Sequence, residues 1–173
     1  MRRTLIQLVL PLCFCLFPAL AGALIVVATP PDASRFYLER IRNSVMDWLI
    51  LGSGLCLFSV QILLSWRALQ WRETGFDERP DRWLTNLAQA AEWFPLLGLI
   101  GTVAGILQTF SQITGQVPPE RIIQLYAPAI TATGSGLFMA LLNILPTWVV
   151  IVGRELILTL AGGEPPRSEE VRP

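Results

Sequence analysis

Phe94-Pro-Leu-Leu-Gly-Leu-Ile-Gly-Thr-Val-Ala-Gly-Ile-Leu-Gln-Thr-Phe110 and Ala127-Pro-Ala-Ile-Thr-Ala-Thr-Gly-Ser-Gly-Leu-Phe-Met-Ala140 decide the reading of this chain. Both belong to apolar runs long enough to cross a bilayer, yet both carry small and hydroxyl-bearing residues that a lipid-facing helix does not need. At about 100° per residue, Gly98, Gly101, Thr102, Gly105, Gln108, Thr109 and Gln112 fall within an arc of about 120° on the first helix. Ala129, Ala132, Thr133, Gly136, Ala140, Asn143 and Thr147 fall within about 100° on the second. Two such faces suggest close helix packing around a polar path. Thr131 and Ser135 point away from them.

The rest of the sequence agrees with a membrane setting. The 173 residues are 53% hydrophobic and 15% charged, with a mean hydropathy of +0.53. Four apolar segments stand out: 4–28, 45–65, 91–113 and 122–152, the last containing Pro128 and Pro146. Each exceeds the ~17–20 residues that span the hydrocarbon core, and a chain in lipid must satisfy its own backbone. The fold class expected is therefore all-α: an integral membrane protein of four transmembrane helices with short loops. Residues 1–66 form an N-terminal helix pair, 67–90 a short cytoplasmic connection, 91–155 a helical hairpin and 156–173 a disordered tail. Met1-Arg-Arg before the first run resembles a signal peptide. That run continues for ~25 residues, longer than a usual h-region, so an uncleaved span is expected.

Orientation follows from arginine, which supplies all 13 basic residues. With the N-terminus inside, nine arginines fall on the cytoplasmic side and four (Arg35, Arg40, Arg42, Arg121) outside. That bias places both termini in the cytoplasm. The Thr29–Ser44 stretch reads as an outer loop, and Asp81 as a cap for the helix leading into the third span.

Chemistry is sparse. Zero net charge argues against nucleic acid as a partner. The absence of His removes the usual near-neutral acid–base group and the commonest metal ligand. Cys13, Cys15 and Cys56 read as small buried hydrophobes, and no metal or cofactor is expected. Asp47, Glu92 and Arg154 read as span-end residues that snorkel to the interface, which leaves no ionisable group at depth. A proton carrier would then need a carboxylate from another chain. Thr102 and Thr133 are the candidate ion-path residues, because a hydroxyl both donates and accepts. Gly98, Gly101, Gly105, Gln108, Thr109, Gln112, Ala129, Gly136, Ala140, Asn143 and Thr147 are the candidate packing and lumen face; Gly101-x-x-x-Gly105 is the literal close-approach motif.

The spelling Pro95-x-x-Gly98-Leu99-x-Gly101-Thr102-Val103-x-Gly105, ending at Phe110, resembles the signature helix of the MotA/TolQ/ExbB proton-channel family. Ala129-x-x-x-Thr133-x-x-Gly136-Leu137-x-x-Ala140 resembles that family's following helix. The resemblance covers roughly residues 90–155. It implies a homo-oligomer, a ring of five in the bacterial inner membrane. The ring would surround a dimer of an ExbD/TolR/MotB-like single-span protein that supplies an essential Asp. Thr102 and Thr133 would then be the pore-facing threonines, and proton (alternatively sodium) flow would drive mechanical work. The spelling departs from the family at Pro128, where many relatives have Glu, and at Leu142, where the family has Pro. The short cytoplasmic connection argues against a flagellar role. Two rivals remain: a non-conducting membrane scaffold, and a membrane enzyme that would lack an acid–base pair.

Overall fold

A computed structural model describes residues 9–70, 79–112 and 118–161. Among them the chain forms six helices and no strand: α1 (Leu10–Ala28), α2 (Pro31–Ile41), α3 (Val45–Leu69), α4 (Arg79–Ala91), α5 (Trp93–Gln112) and α6 (Pro119–Ala161). Four stretches are long and apolar enough to cross a membrane: Leu10–Ala28, Val45–Leu69, Pro80–Ser111 and Ala129–Leu160. The expected all-α, four-span architecture is what the chain adopts. The expected span start at Thr4, the side chains of Gln112 and Pro128, and residues 162–173 of the expected 156–173 tail lie outside the described residues.

Several expectations are corrected. Cys13 and Cys56 are exposed and Cys15 is half-buried rather than buried, because they lie on outward faces of α1 and α3. Residues 156–161 of the expected disordered tail continue the last helix. The stretch following Thr29 is not an irregular loop but the 11-residue helix α2. Pro31 occupies its first turn, where a missing N–H costs nothing, and Asp32 sits at the positive end of the helix. Asp81 lies within the first turn of α4 rather than before it, and its carboxylate is used elsewhere.

α6, at 43 residues, is the axis of the bundle. α5 packs antiparallel to it: Gly105 lies against Ala129, Gly101 against Ala132 and Gly98 against Ala132, Thr133 and Gly136. α3 runs parallel to α6, pairing Asp47 with Thr131 and Ser135, Gly54 with Asn143 and Ala68 with Arg154. α1 runs antiparallel to α6, with Gly22 at Leu142 and Phe14 at Gly153. Two apolar clusters fill the seams, one around Ile50, Phe94 and Met139, the other around Leu69, Leu84 and Ile157. The outward faces of α5 (Leu99, Val103, Leu107) and α6 (Leu137, Leu141, Ile144) are exposed and apolar, as a surface bathed in lipid or covered by neighbours must be.

Candidate functional site

The α5–α6 seam is built by removing side chains. A Cβ on Gly101 would lie 2.7 Å from the Ala132 Cβ, and one on Gly98 would lie 2.9 Å from the Ala132 carbonyl oxygen. At Gly136 it would run into the Phe94 carbonyl oxygen and meet the Gly98 Cα at 3.0 Å. These are backbone-to-backbone approaches, the physical meaning of small residues at membrane helix interfaces. The small faces of the two helices thus pack against each other within one chain.

That close approach brings Thr102 and Thr133 together. Their hydroxyls are joined directly by a hydrogen bond. Each also has a backbone acceptor in reach: Thr102 Oγ1 lies 3.0 Å from the Gly98 carbonyl and 3.1 Å from the Ala129 carbonyl, and Thr133 Oγ1 3.5 Å from Ala129. Because each hydroxyl carries one proton, the pair has more acceptors than protons and can reorient without losing satisfaction. Both residues are half-buried, so the pair keeps an opening to the surface of the protomer.

The other candidates separate. Gly98, Gly101, Gly105, Ala129 and Gly136 line the seam with the threonines. Thr109 is buried and donates to its own helix at Gly105, 2.8 Å, while Gln108 is exposed. Ala140 belongs to the apolar cluster. Asn143 is buried against α3, donating to Gly54 at 3.2 Å and Met139 at 2.8 Å. Thr147 reaches the Leu84 carbonyl of α4 at 3.5 Å. One helix face meets α5 near Thr133 and α4 below it, because α5 begins only at Trp93.

A second polar site lies on the α3–α6 seam, and it corrects the reading of Asp47 as a snorkelling residue. Asp47 is fully buried. Its carboxylate accepts from Ser135 Oγ at 2.5 Å and from Thr131 Oγ1 at 3.1 Å. Ser135 Oγ is also 2.6 Å from the Tyr37 hydroxyl of α2. Burial pushes the Tyr37 phenol above its ordinary value near 10; the Ser135 hydrogen bond opposes that shift and the Asp47 charge adds to it. The seven-residue spacing Asp47, Gly54, Gln61, Ala68 carries the signal that was available: Asp47, Gly54 and Ala68 meet the parallel helix α6, and Gln61 in the same register is buried. Gln61 is fully buried, and neither of its amide atoms has a hydrogen-bond partner among the described residues. At the far end, Arg154 pairs with Asp81 at 2.6 Å and donates to the Ala68 carbonyl at 3.2 Å. It fixes α4 on the bundle rather than snorkelling freely.

Residues 66–154, from the end of α3 through α4 and α5 to Arg154, match the MotA/TolQ/ExbB proton channel family. No curated protein and no solved structure matches the chain.

Proposed function

Because this chain belongs to the MotA/TolQ/ExbB proton channel family, and is thus a multi-pass, proton-channel-type membrane subunit, we propose that it is the ring-forming component of an ion-driven energy-transducing complex. Ions pass along the Thr102–Thr133 pair, facing a carboxylate that a single-span partner supplies. The ring is a homopentamer in the bacterial inner membrane, with both termini cytoplasmic, and the ion is a proton. The chain has no catalytic centre.

The observation that carries this reading is the threonine pair itself. Two hydroxyls from the two family helices meet on a seam of glycine and alanine and keep part of their surface open. A hydroxyl pair with spare acceptors orients water and shares a proton with a carboxylate. The exposed apolar faces of α5 and α6 supply area for neighbouring protomers and lipid. The glycine faces, being buried within the protomer, shape the subunit rather than join subunits.

The test is assembly. Co-expression with a single-span protein bearing an Asp near the start of its span should yield a complex of five copies of this chain and two of the partner by native mass spectrometry. A stable monomer or dimer that never takes up such a partner favours the non-conducting scaffold instead.

A further inference from the structure

Asp47 is the titratable group that the threonine path does not use. It is fully buried, and no cation is bonded to it among the described residues. Ser44-x-x-Asp47 spells a helix-capping pair, and Ser44 Oγ does accept from the Asp47 N–H at 3.3 Å. The carboxylate, however, does not return to the Ser44 N–H, which is bonded to the Ile41 carbonyl at 3.0 Å. It crosses to α6. Capping therefore accounts for the residue's backbone and not for its side chain. Asp47 stands in the first turn of its span, yet it is covered by protein with no cation bonded to it among the described residues, and a covered ionisable group in a membrane helix is a functional-site candidate.

We infer that Asp47 is a reversible proton-binding site of this chain, loaded through Tyr37 and Ser135 from the end of the bundle where α2 lies.

The hydrogen bonds accommodate both protonation states. With Asp47 ionised, Ser135 and Thr131 donate to its two oxygens, and Tyr37 donates to Ser135 Oγ. On uptake, the Tyr37 hydroxyl proton passes to Ser135 Oγ while the Ser135 proton passes to the Asp47 carboxylate. A hydronium ion at the surface then reprotonates Tyr37 and leaves as water. One O–H bond forms for each that breaks, and the net change is one proton moved from hydronium to Asp47, with Tyr37 and Ser135 regenerated. The neutral acid then donates to Ser135 Oγ, and Ser135 turns its hydroxyl to the Thr131 carbonyl, already 3.0 Å away. Tyr37, half-buried, is the link to the surface.

Among the described residues no other titratable group intervenes. α6 contributes only hydroxyls here, and α5 contains no ionisable residue. On α2, Asp32, Arg35 and Glu39 are exposed, and Arg40 lies over the Phe36 ring at 5.5 Å. Cys13 and Cys15 of α1 flank Phe14, which packs at Gly153 toward the opposite end. The hydroxyl protons point at the carboxylate, an arrangement that suits a proton rather than a ring of oxygen lone pairs around sodium. The site does not depend on Thr102 and Thr133 carrying ions.

The test uses the full-length chain in detergent, with dicyclohexylcarbodiimide, which reacts with protonated carboxyl groups in apolar surroundings, and with infrared difference spectroscopy. An adduct on Asp47, mapped by peptide mass spectrometry, should form faster as pH falls. A carboxylic-acid C=O band should rise on acidification and be absent from Asp47→Asn. Thr131→Val should move that band to higher frequency, because the C=O loses a donor. Tyr37→Phe should leave the band in place but slow its rise after a pH jump by roughly a hundredfold, the size of a lost proton relay. If Asp47→Asn does not fold, the wild-type adduct and the Thr131→Val shift still decide. Absence of both adduct and band at every pH at which the protein stays helical would make Asp47 a fixed structural anion and overturn the inference. Protection of Asp47 by sodium at constant pH would overturn it in favour of a sodium site.

Discussion

Thr133 and Ser135 stand two residues apart on α6 and serve opposite neighbours: Thr133 bonds Thr102 on α5, and Ser135 bonds Asp47 on α3. Two steps of about 100° bring side chains to nearly opposite faces of a helix. A single turn of α6 therefore carries two separate polar sites. Thr131, which bonds Asp47 at 3.1 Å, belongs to the second and is unsuitable as a neutral control for the first.

Bulk on the α5–α6 seam should fail within the protomer. Gly98→Ala places a Cβ 2.9 Å from a carbonyl oxygen that cannot move aside. Overpacking of this kind costs about 1–3 kcal/mol, and Gly98→Leu should prevent the hairpin from forming. Gly54→Ala meets the buried Met139 at its Sδ, Cγ and Cβ, 2.5, 2.7 and 3.0 Å away; the Sδ and Cγ can turn aside, so it should cost less than a clash with fixed backbone. Thermal unfolding in detergent checks the order: wild type, then Gly54→Ala, then Gly98→Ala.

The Arg154–Asp81 pair should matter modestly. Its side chains are 18% and 36% exposed, so Asp81→Asn should cost about 1 kcal/mol or less after screening. The loss should shrink at high salt. Arg154→Gln should cost more, because it also removes the bond to the Ala68 carbonyl. Melting temperatures in low and high salt check both.

Tyr37 should make the protein alkali-sensitive. Its phenol is raised above its ordinary value near 10 in the folded chain, first by burial. At pH values above that ordinary value the unfolded chain loses the proton that the folded chain retains. The folded state then binds more protons, so stability falls as pH rises through this window and is intact below it. Tyr37→Phe should flatten the dependence. Thermal melts between pH 7 and about pH 11 read this out.

The spans and the α5–α6 seam were legible because hydropathy and small-residue periodicity act within one helix. α2 was missed because Pro30-Pro31 reads as a loop opener, although Pro31 followed by Asp32 also spells a helix start. Asp47 was misread because its position at a span end says nothing about which neighbour covers it. Thr131 and Ser135 were set aside because only one face of α6 was counted, whereas this helix is covered by α1, α2, α3, α4 and α5 at different levels. Asn143 and Thr147 share the angular face of Thr133, but they meet α3 and α4 because α5 does not reach that far.

Control substitutions for the threonine path should be sought where a hydroxyl satisfies only its own helix. Ser59 is exposed and donates to Leu55 at 2.8 Å. Ser59→Ala should leave assembly and activity unchanged, as measured by complex yield and proton flux.

Proton flux through the partner-bound complex in liposomes, driven by a membrane potential and followed with a pH-sensitive dye, is the most direct test of the threonine path. Thr102→Val and Thr133→Val keep shape and remove the hydroxyl, and a membrane hydrogen bond is worth only about 0.6–2 kcal/mol, so the complexes should assemble. The expected result is flux in the wild type and in Ser59→Ala, with flux abolished in Thr102→Val and Thr133→Val at unchanged stoichiometry. Full flux in both threonine variants would contradict the Thr102–Thr133 path, and no flux in an assembled wild-type complex would contradict conduction itself.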